Sequence, residues 1–229
     1  MKDWTWEFKN EFKLVEPART ALVIINMQNA TACRTEGIAA VLRESGEVTV
    51  GERYFSQIEQ VVLPNLKKLL TFFRKYGLMV LHVSSASSHP NYSEMATGLR
   101  NSAMYIGNHV EPKVNQFLPE VAPQKSEPVI QKSSFSAFIS SPIDRVLREL
   151  NVNYLIFTGV FTNLDVEGTA RNAADLSYRC TIAEDCCSSI SNNLHNWALK
   201  NFNALHGMVR NSNSVINELF LSNRNKSDI

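Results

Sequence analysis

The stretch GVFTNLDVEGTAR, residues 159–171, is the segment that decides the fold of this chain. It follows the apolar run YLIF at residues 154–157 and leads into a helix-forming pattern, which predicts a buried strand, a tight turn and the start of a helix. At such a turn on an open α/β sheet, backbone N–H groups and the helix dipole converge and favour negative charge. Asp165 places a carboxylate there, so this turn is the first candidate for a functional site.

The composition restricts the kind of protein and its partners. The chain has 229 residues, a formal net charge of +1 and 44% hydrophobic residues, enough for one domain without disulfide or metal support. The near-neutral charge gives no electrostatic reason to expect nucleic acid or a membrane surface as a partner. No apolar run has the length of a membrane span, and the first residues lack a signal-peptide pattern. We therefore expect a cytoplasmic protein that binds a small molecule.

Short apolar runs alternate with helical patterns along the chain, which predicts βα repetition and a parallel sheet. The predicted strands lie at residues 21–25, 78–83, 128–130, 154–157, 180–183 and 208–209. The pattern therefore indicates an α/β protein with a Rossmann-like open sheet of about six mainly parallel strands between two layers of helices.

Two segments lie outside this alternation. Residues 1–19 form an aromatic arm with Trp4, Trp6, Phe8 and Phe12, which we expect to pack on the domain or on a neighbouring subunit. Residues 20–229 form the single domain. Within it, residues 84–127 are a long insertion, and insertions of this length are often lids or specificity loops. The alternative is a short helix with no role in binding.

Polar residues follow three of the predicted strands. Asn26 and Gln28 come after the first, Lys132 after the third, and the turn up to Asp165 after the fourth. Because the carboxyl ends of parallel strands meet at one edge of a sheet, we expect these residues to line one crevice. The candidate catalytic residues are Asp165, Lys132 and Asn26. The candidate substrate-binding residues are Gln28, Phe161, Thr162, Asn163 and Leu164.

Three motifs in this order resemble those of the isochorismatase-like cysteine hydrolases. They are NMQNA at 26–30, Lys132 ahead of FSAF at 135–138, and the turn at 159–171. The resemblance runs from about residue 20 to 215 and implies a three-layer α/β/α fold with strand order 3-2-1-4-5-6. It also implies a cis peptide bond between Val160 and Phe161, and a homo-oligomer.

The resemblance also implies a catalytic triad of aspartate, lysine and cysteine, of which this chain keeps only Lys132. The aspartate position is Asn26, whose amide cannot accept a proton as a general base. The cysteine position is Asp165, and a carboxylate is a poor substitute for a thiolate in attack on an amide. We therefore expect no cysteine amidase chemistry. Family members that hydrolyse isochorismate commonly lack the cysteine and use a carboxylate as an acid, so the resemblance also allows similar chemistry from Asp165.

Two functions remain open from the sequence. In the first, the protein is an isochorismatase-like hydrolase or lyase in which Asp165 and Lys132 transfer protons. Asn26 and the backbone N–H groups near Leu164 and Asp165 would then hold an oxyanion or a carboxylate. In the second, it is a catalytically inactive relative that binds a small ligand or a partner subunit. Thr162 and Asp165 would then form a capping box at the helix start, with Lys132 as an ion-pair partner.

No metal or other cofactor is expected. Some members of the family that the chain resembles, the nicotinamidases, hold a metal through an Asp-x-His pair and a second histidine, and no Asp-x-His occurs in this sequence. The four cysteines, at positions 33, 180, 186 and 187, have neither zinc-ligand spacing nor the pattern of a disulfide framework.

Overall fold

The computed structural model describes residues 11–14, 16–109 and 113–227, with side chains up to residue 222. Six strands form one sheet: β1 (Thr20–Ile25), β2 (Met79–Ser85), β3 (Val129–Lys132), β4 (Tyr154–Val160), β5 (Arg179–Ser188) and β6 (Met208–Arg210). Their order in the sheet is β3-β2-β1-β4-β5-β6, and each of these pairings is parallel. The predicted fold and strand order are confirmed.

Ten α-helices lie in the described part of the chain. They are α1 (Asn29–Ala32), α2 (Ile38–Glu44), α3 (Val48–Gln57), α4 (Leu63–Lys75), α5 (Thr97–Ile106), α6 (Ala137–Ser140), α7 (Ile143–Glu149), α8 (Glu167–Asp175), α9 (Asn192–Leu205) and α10 (Ser212–Ser227). A π-helical turn, Ile58–Val62, joins α3 to α4, and Pro64 lies in the first turn of α4. A second π-helical turn, Thr162–Val166, precedes α8.

The central strand β1 is buried on both faces, as its uninterrupted apolar sequence requires. Leu22 and Ile24 pack into a core with α3, α4 and α10. Ala21, Val23 and Ile25 point the other way and pack against α7, α8 and α9. The sheet is therefore the middle layer of three.

The predicted N-terminal arm is only partly described, because Trp4, Trp6 and Phe8 lie outside the described residues. Phe12 packs on the domain, with its ring centroid 6.1 Å from that of Tyr154. The guanidinium of Arg210 also lies over the Phe12 ring, at 6.0 Å from its centroid.

The segment before β3 is fastened to the sheet by a buried carboxylate. Glu127 accepts two hydrogen bonds from the Arg74 guanidinium, at 2.7 and 2.8 Å, and its Oε2 lies 2.9 Å from Nε2 of His82. His82 lies on β2 and is fully buried. This contact holds the end of the 84–127 insertion against the sheet. In the described residues, we find no helix with the length and apolarity that crossing a membrane requires.

Candidate active site

A cavity of about 310 Å³ lies at the carboxyl ends of the strands, where the strand order reverses between β1 and β4. This is the place at which open α/β sheets bind ligands. The cavity is lined by Asn26, Thr31, Ile38, Ser85, Met95, Gly98, Leu99, Ser102, Ala103, Ile106, Asn108, Phe135, Phe161, Asn163, Leu164, Asp165, Ser189, Ile190 and Leu194.

A buried ion pair stands at one wall of this cavity. Nζ of Lys132, the last residue of β3, lies 2.5 Å from Oδ1 of Asp165 in the π-helical turn. The side chains are 0% and 4% exposed, respectively. Lys132 also donates a hydrogen bond to the carbonyl oxygen of Ser134, at 2.8 Å. Two residues far apart in the sequence are therefore held together by the ends of β3 and β4.

The carboxylate of this pair, and not the ammonium, forms part of the cavity wall. Asp165 lines the cavity, whereas Lys132 lies behind it. Oδ1 of Asp165 is engaged by Lys132, and Oδ2 accepts only a long hydrogen bond of 3.4 Å from the N–H of Phe161. Oδ2 is thus the less engaged oxygen of the pair.

The backbone N–H groups of the turn that carries Asp165 donate hydrogen bonds within the turn itself. The peptide bond between Val160 and Phe161 is cis, as predicted. The N–H groups of Leu164, Asp165 and Val166 all donate to the carbonyl oxygen of Phe161, at 3.2, 3.0 and 3.1 Å. These N–H groups are therefore hydrogen-bonded within the turn. That those near Leu164 and Asp165 hold an oxyanion or a carboxylate stays a prediction.

The predicted capping box is wrong. The hydroxyl of Thr162 makes no cap to the helix and instead lies 2.8 Å from Nδ1 of His195 on α9. Burial lowers the pKa of His195, which favours the neutral imidazole. Thr162 thus joins the turn to α9, and Asp165 is engaged mainly by Lys132.

Asn26 directly follows β1 and has a left-handed backbone conformation, with φ of +52°. Its backbone is fixed on both sides, because its N–H donates to Val83 at 2.9 Å and its carbonyl accepts from the hydroxyl of Thr31. Its side chain lines the cavity, and Oδ1 is buried with no hydrogen-bond partner among the described residues.

The other predicted binding residues divide into two groups. Phe161, Asn163 and Leu164 line the cavity. Gln28 and Thr162 do not, since both are fully buried and bind protein groups. Gln28 accepts from the N–H of Ser85 and donates to the carbonyl of Asn115, both at 2.8 Å, and so links three segments behind the wall. A direct role of Gln28 and Thr162 in ligand binding stays a prediction.

Comparison with known proteins agrees with this geometry, since residues 20–214 match the isochorismatase domain. The chain belongs to the isochorismatase family. The uncharacterized isochorismatase family protein YwoC of Bacillus subtilis (strain 168) is 28% identical over 182 residues, which are 80% of this chain and 84% of that protein.

Solved structures share the fold at low sequence identity. A cysteine hydrolase from Pseudomonas syringae pv. phaseolicola 1448A superposes with a TM-score of 0.77 at 20% identity, covering 90% of this chain and 94% of that one. An isochorismatase family protein from Desulfovibrio vulgaris subsp. vulgaris str. Hildenborough gives 0.73 at 23% identity, covering 88% and 98%. The N-carbamoylsarcosine amidase of Thermoplasma acidophilum gives 0.63 at 20% identity, covering 85% and 96%.

This member of the isochorismatase family closes its cavity with residues that our sequence reasoning missed. Met95, Leu99, Ala103 and Ile106 come from α5 and the residues before it, within the 84–127 insertion, and they form an apolar wall. Their spacing of three or four residues is that of one helix face and could have revealed the wall. Asn108, just after α5, carries no motif and could not have been found this way.

The cysteines of this isochorismatase-family chain lie away from the cavity. None of the four, all within the described residues, is part of its lining. Burial raises the pKa of the thiols of Cys180, Cys186 and Cys187, which keeps them protonated. The described residues contain no cluster of three or more His, Cys, Asp or Glu side chains suited to a metal ion. That the protein needs no cofactor stays a prediction, as does its homo-oligomeric state.

Proposed function

We propose that this isochorismatase-family protein is a hydrolase or lyase that acts on a small molecule through Asp165 and Lys132 instead of a thiol. The observation that carries the proposal is the buried ion pair at 2.5 Å, whose carboxylate forms part of the wall of the 310 Å³ cavity. All four cysteines lie within the described residues, and none of them lines that cavity.

Asp165 is the proton-transfer group in this proposal. Lys132 holds Oδ1 and supplies the counter-charge, so the orientation of the carboxylate is fixed. Oδ2, with its single long hydrogen bond, is the oxygen that can take a proton from a water molecule or a substrate group in the cavity. A positioned carboxylate that transfers a proton in this way typically contributes about 10² to 10⁴ in rate.

Asn26 has a binding role in this proposal. Its amide lines the same cavity as Asp165, and its Oδ1 has no partner among the described residues. A neutral amide both donates and accepts hydrogen bonds but does not take up a proton, so it can orient a substrate and leave the proton transfer to Asp165.

Asp165→Asn is the test, because it keeps the shape of the side chain and removes the proton acceptor. Turnover of a panel of amides, esters and vinyl ethers would be measured for the parent and the variant, each first shown to be folded by circular dichroism. We expect kcat to fall by about 100-fold or more, with KM little changed. Asp144→Asn, in an exposed ion pair with Arg148, is the matched control and should leave turnover unchanged. Equal turnover by Asp165→Asn and the parent would assign the carboxylate a structural role only.

The second candidate is a catalytically inactive family member that binds a small ligand or a partner subunit. It is favoured by the position of Lys132, which lies behind the wall and whose charge is balanced by Asp165. The two candidates differ in one measurement: the inactive protein would bind a ligand in the cavity and turn over no compound of the panel.

A further inference from the structure

The charges around the cavity indicate what it can bind. Among its described lining residues there is no lysine, arginine or histidine, and Asp165 is the one charged side chain. The ammonium of Lys132 lies behind that carboxylate and is already paired with it. An anionic ligand would therefore meet a carboxylate at the wall and would find no unpaired cation among the described lining residues. An unpaired charge in such a site is unfavourable.

Two asparagine side chains are distinctive among the neutral polar groups of the cavity. Asn26 and Asn108 both line it and are 2% and 6% exposed. Oδ1 of each is buried and lacks a hydrogen-bond partner in the described part of the chain. Buried amide oxygens are normally hydrogen-bonded, so two unpartnered ones on one cavity are an observation that calls for a ligand or an ordered water molecule.

The backbone around Asn108 is firmly held. Gly107 ends α5 in a left-handed conformation, with φ of +72°. The N–H of Asn108 donates to Ala103 at 2.9 Å, and its carbonyl accepts from the N–H of Ser87 at 3.0 Å. The fold therefore fixes the main chain at this position while it leaves the side-chain Oδ1 without a partner among the described residues.

The rest of the wall is mainly apolar. Met95, Leu99 and Ile106 face the cavity from the insertion, and Phe161 and Ile190 face it from the ends of the strands. Burial of an apolar ligand body against such a surface is favourable.

We propose that the cavity selects an uncharged molecule with an apolar body, and that Asn108 together with Asn26 binds the neutral polar group of that molecule. This inference rests on the proposed function only in taking the cavity as the ligand site. A group that both donates and accepts hydrogen bonds matches an asparagine amide in either of its two orientations. A carboxylate only accepts, and it is repelled by Asp165.

Matched pairs of probes test the charge selectivity. Binding of benzamide and benzoate, and of 2-phenylacetamide and 2-phenylacetate, would be measured by isothermal titration calorimetry at pH 7.5. We expect at least one amide to bind, and to bind about tenfold or more tightly than its carboxylate. The inference is overturned if neither amide binds up to its solubility limit, or if a carboxylate binds as tightly as its amide.

Variants test the role of Asn108. Asn108→Leu should weaken amide binding about tenfold, because a hydrogen-bonding group is lost from a buried site. Asn101→Leu is the control, since Asn101 lies exposed on α5 outside the cavity lining and its variant should bind like the parent. Asn108→Asp should strengthen the binding of benzylammonium about tenfold, a gain that misfolding cannot produce. Unchanged binding in both Asn108 variants would overturn the assignment.

The outcome of these binding tests can be distinguished from the outcome of the turnover test on Asp165→Asn. Selective amide binding in a protein that turns over no compound would sustain this inference and reject catalysis. Turnover that depends on Asp165 in a protein that prefers carboxylates would support catalysis and reject this inference.

Discussion

Removal of the ammonium of Lys132 should strongly destabilise the fold, because the carboxylate of Asp165 would then be buried without a counter-charge. The two side chains are 0% and 4% exposed, and the hydrogen bond left to Asp165 from Phe161 is 3.4 Å long. Loss of one partner from a buried pair costs about 3–5 kcal/mol in unfolding free energy. In a chain of this length each kcal/mol lowers Tm by about 2–4 °C, so Lys132→Met should lower Tm by about 6–20 °C.

Urea and thermal unfolding at pH 7, followed by circular dichroism, would measure this effect. The double variant Lys132→Met with Asp165→Leu removes both charges and should recover most of the loss, since an apolar pair of similar volume often replaces a buried ion pair at little cost. Arg148→Met breaks the exposed pair with Asp144, whose side chains are 57% and 37% exposed, and should change stability by less than about 1 kcal/mol. A Lys132→Met variant no less stable than this control would refute the reasoning, as would a double variant as unstable as the single one.

Three further predictions concern stability. Although burial raises the pKa of Glu127, its hydrogen bonds, above all that from Arg74, lower it to about 2, below the ordinary value of 4.5. A carboxyl group whose pKa is lower in the folded than in the unfolded protein stabilises the fold at pH values above its unfolded pKa. The unfolding free energy should therefore fall as the pH drops from about 4.5 to 2, and urea titrations of Glu127→Gln should show a smaller fall. Gly159→Ala should leave little folded protein in the soluble fraction, because φ is +107° and a Cβ would lie 1.9 Å from the carbonyl oxygen of Ile25. Gly168→Ala, in α8 with nothing within 4 Å of its Cβ, should instead raise stability by about 0.5–1 kcal/mol in the same unfolding assay.

The strands at the centre of the sheet were predictable because each contains an apolar run that the sheet buries. The run at 154–157, for example, is the buried start of β4. The extension of β5 to Ser188 was not predictable, since it passes through the polar residues Glu184 and Asp185. It depends on a shift in the pairing between β4 and β5, at Phe157 and Gly159, which no single run of sequence encodes.

The candidate site was predictable to the extent that it depends on strand ends. Asn26 and Asp165 line one cavity, and Lys132 contacts Asp165, because parallel strands bring their carboxyl ends to one edge. The partner of Thr162 was not predictable, because a local capping pattern competes with a histidine 33 residues away. Asn108 was equally hidden, since its place on the wall depends on how residues 84–109 fold back over the sheet.

The buried ion pair bears on the two positions, 26 and 165, at which the resemblance to the family implies other residues. The resemblance to the family implies an aspartate at the position of Asn26, where a carboxylate would stand at the same crevice as Lys132. With an amide there, Asp165 is the carboxylate that pairs with Lys132 among the described residues. A buried ammonium needs such a partner, so stability alone is a sufficient reason for an acidic residue at position 165. Loss of turnover in Asp165→Asn therefore indicates catalysis only where the variant stays folded and still binds its ligand. For this reason, ligand binding to the side-chain amides of Asn26 and Asn108 has to be measured beside turnover.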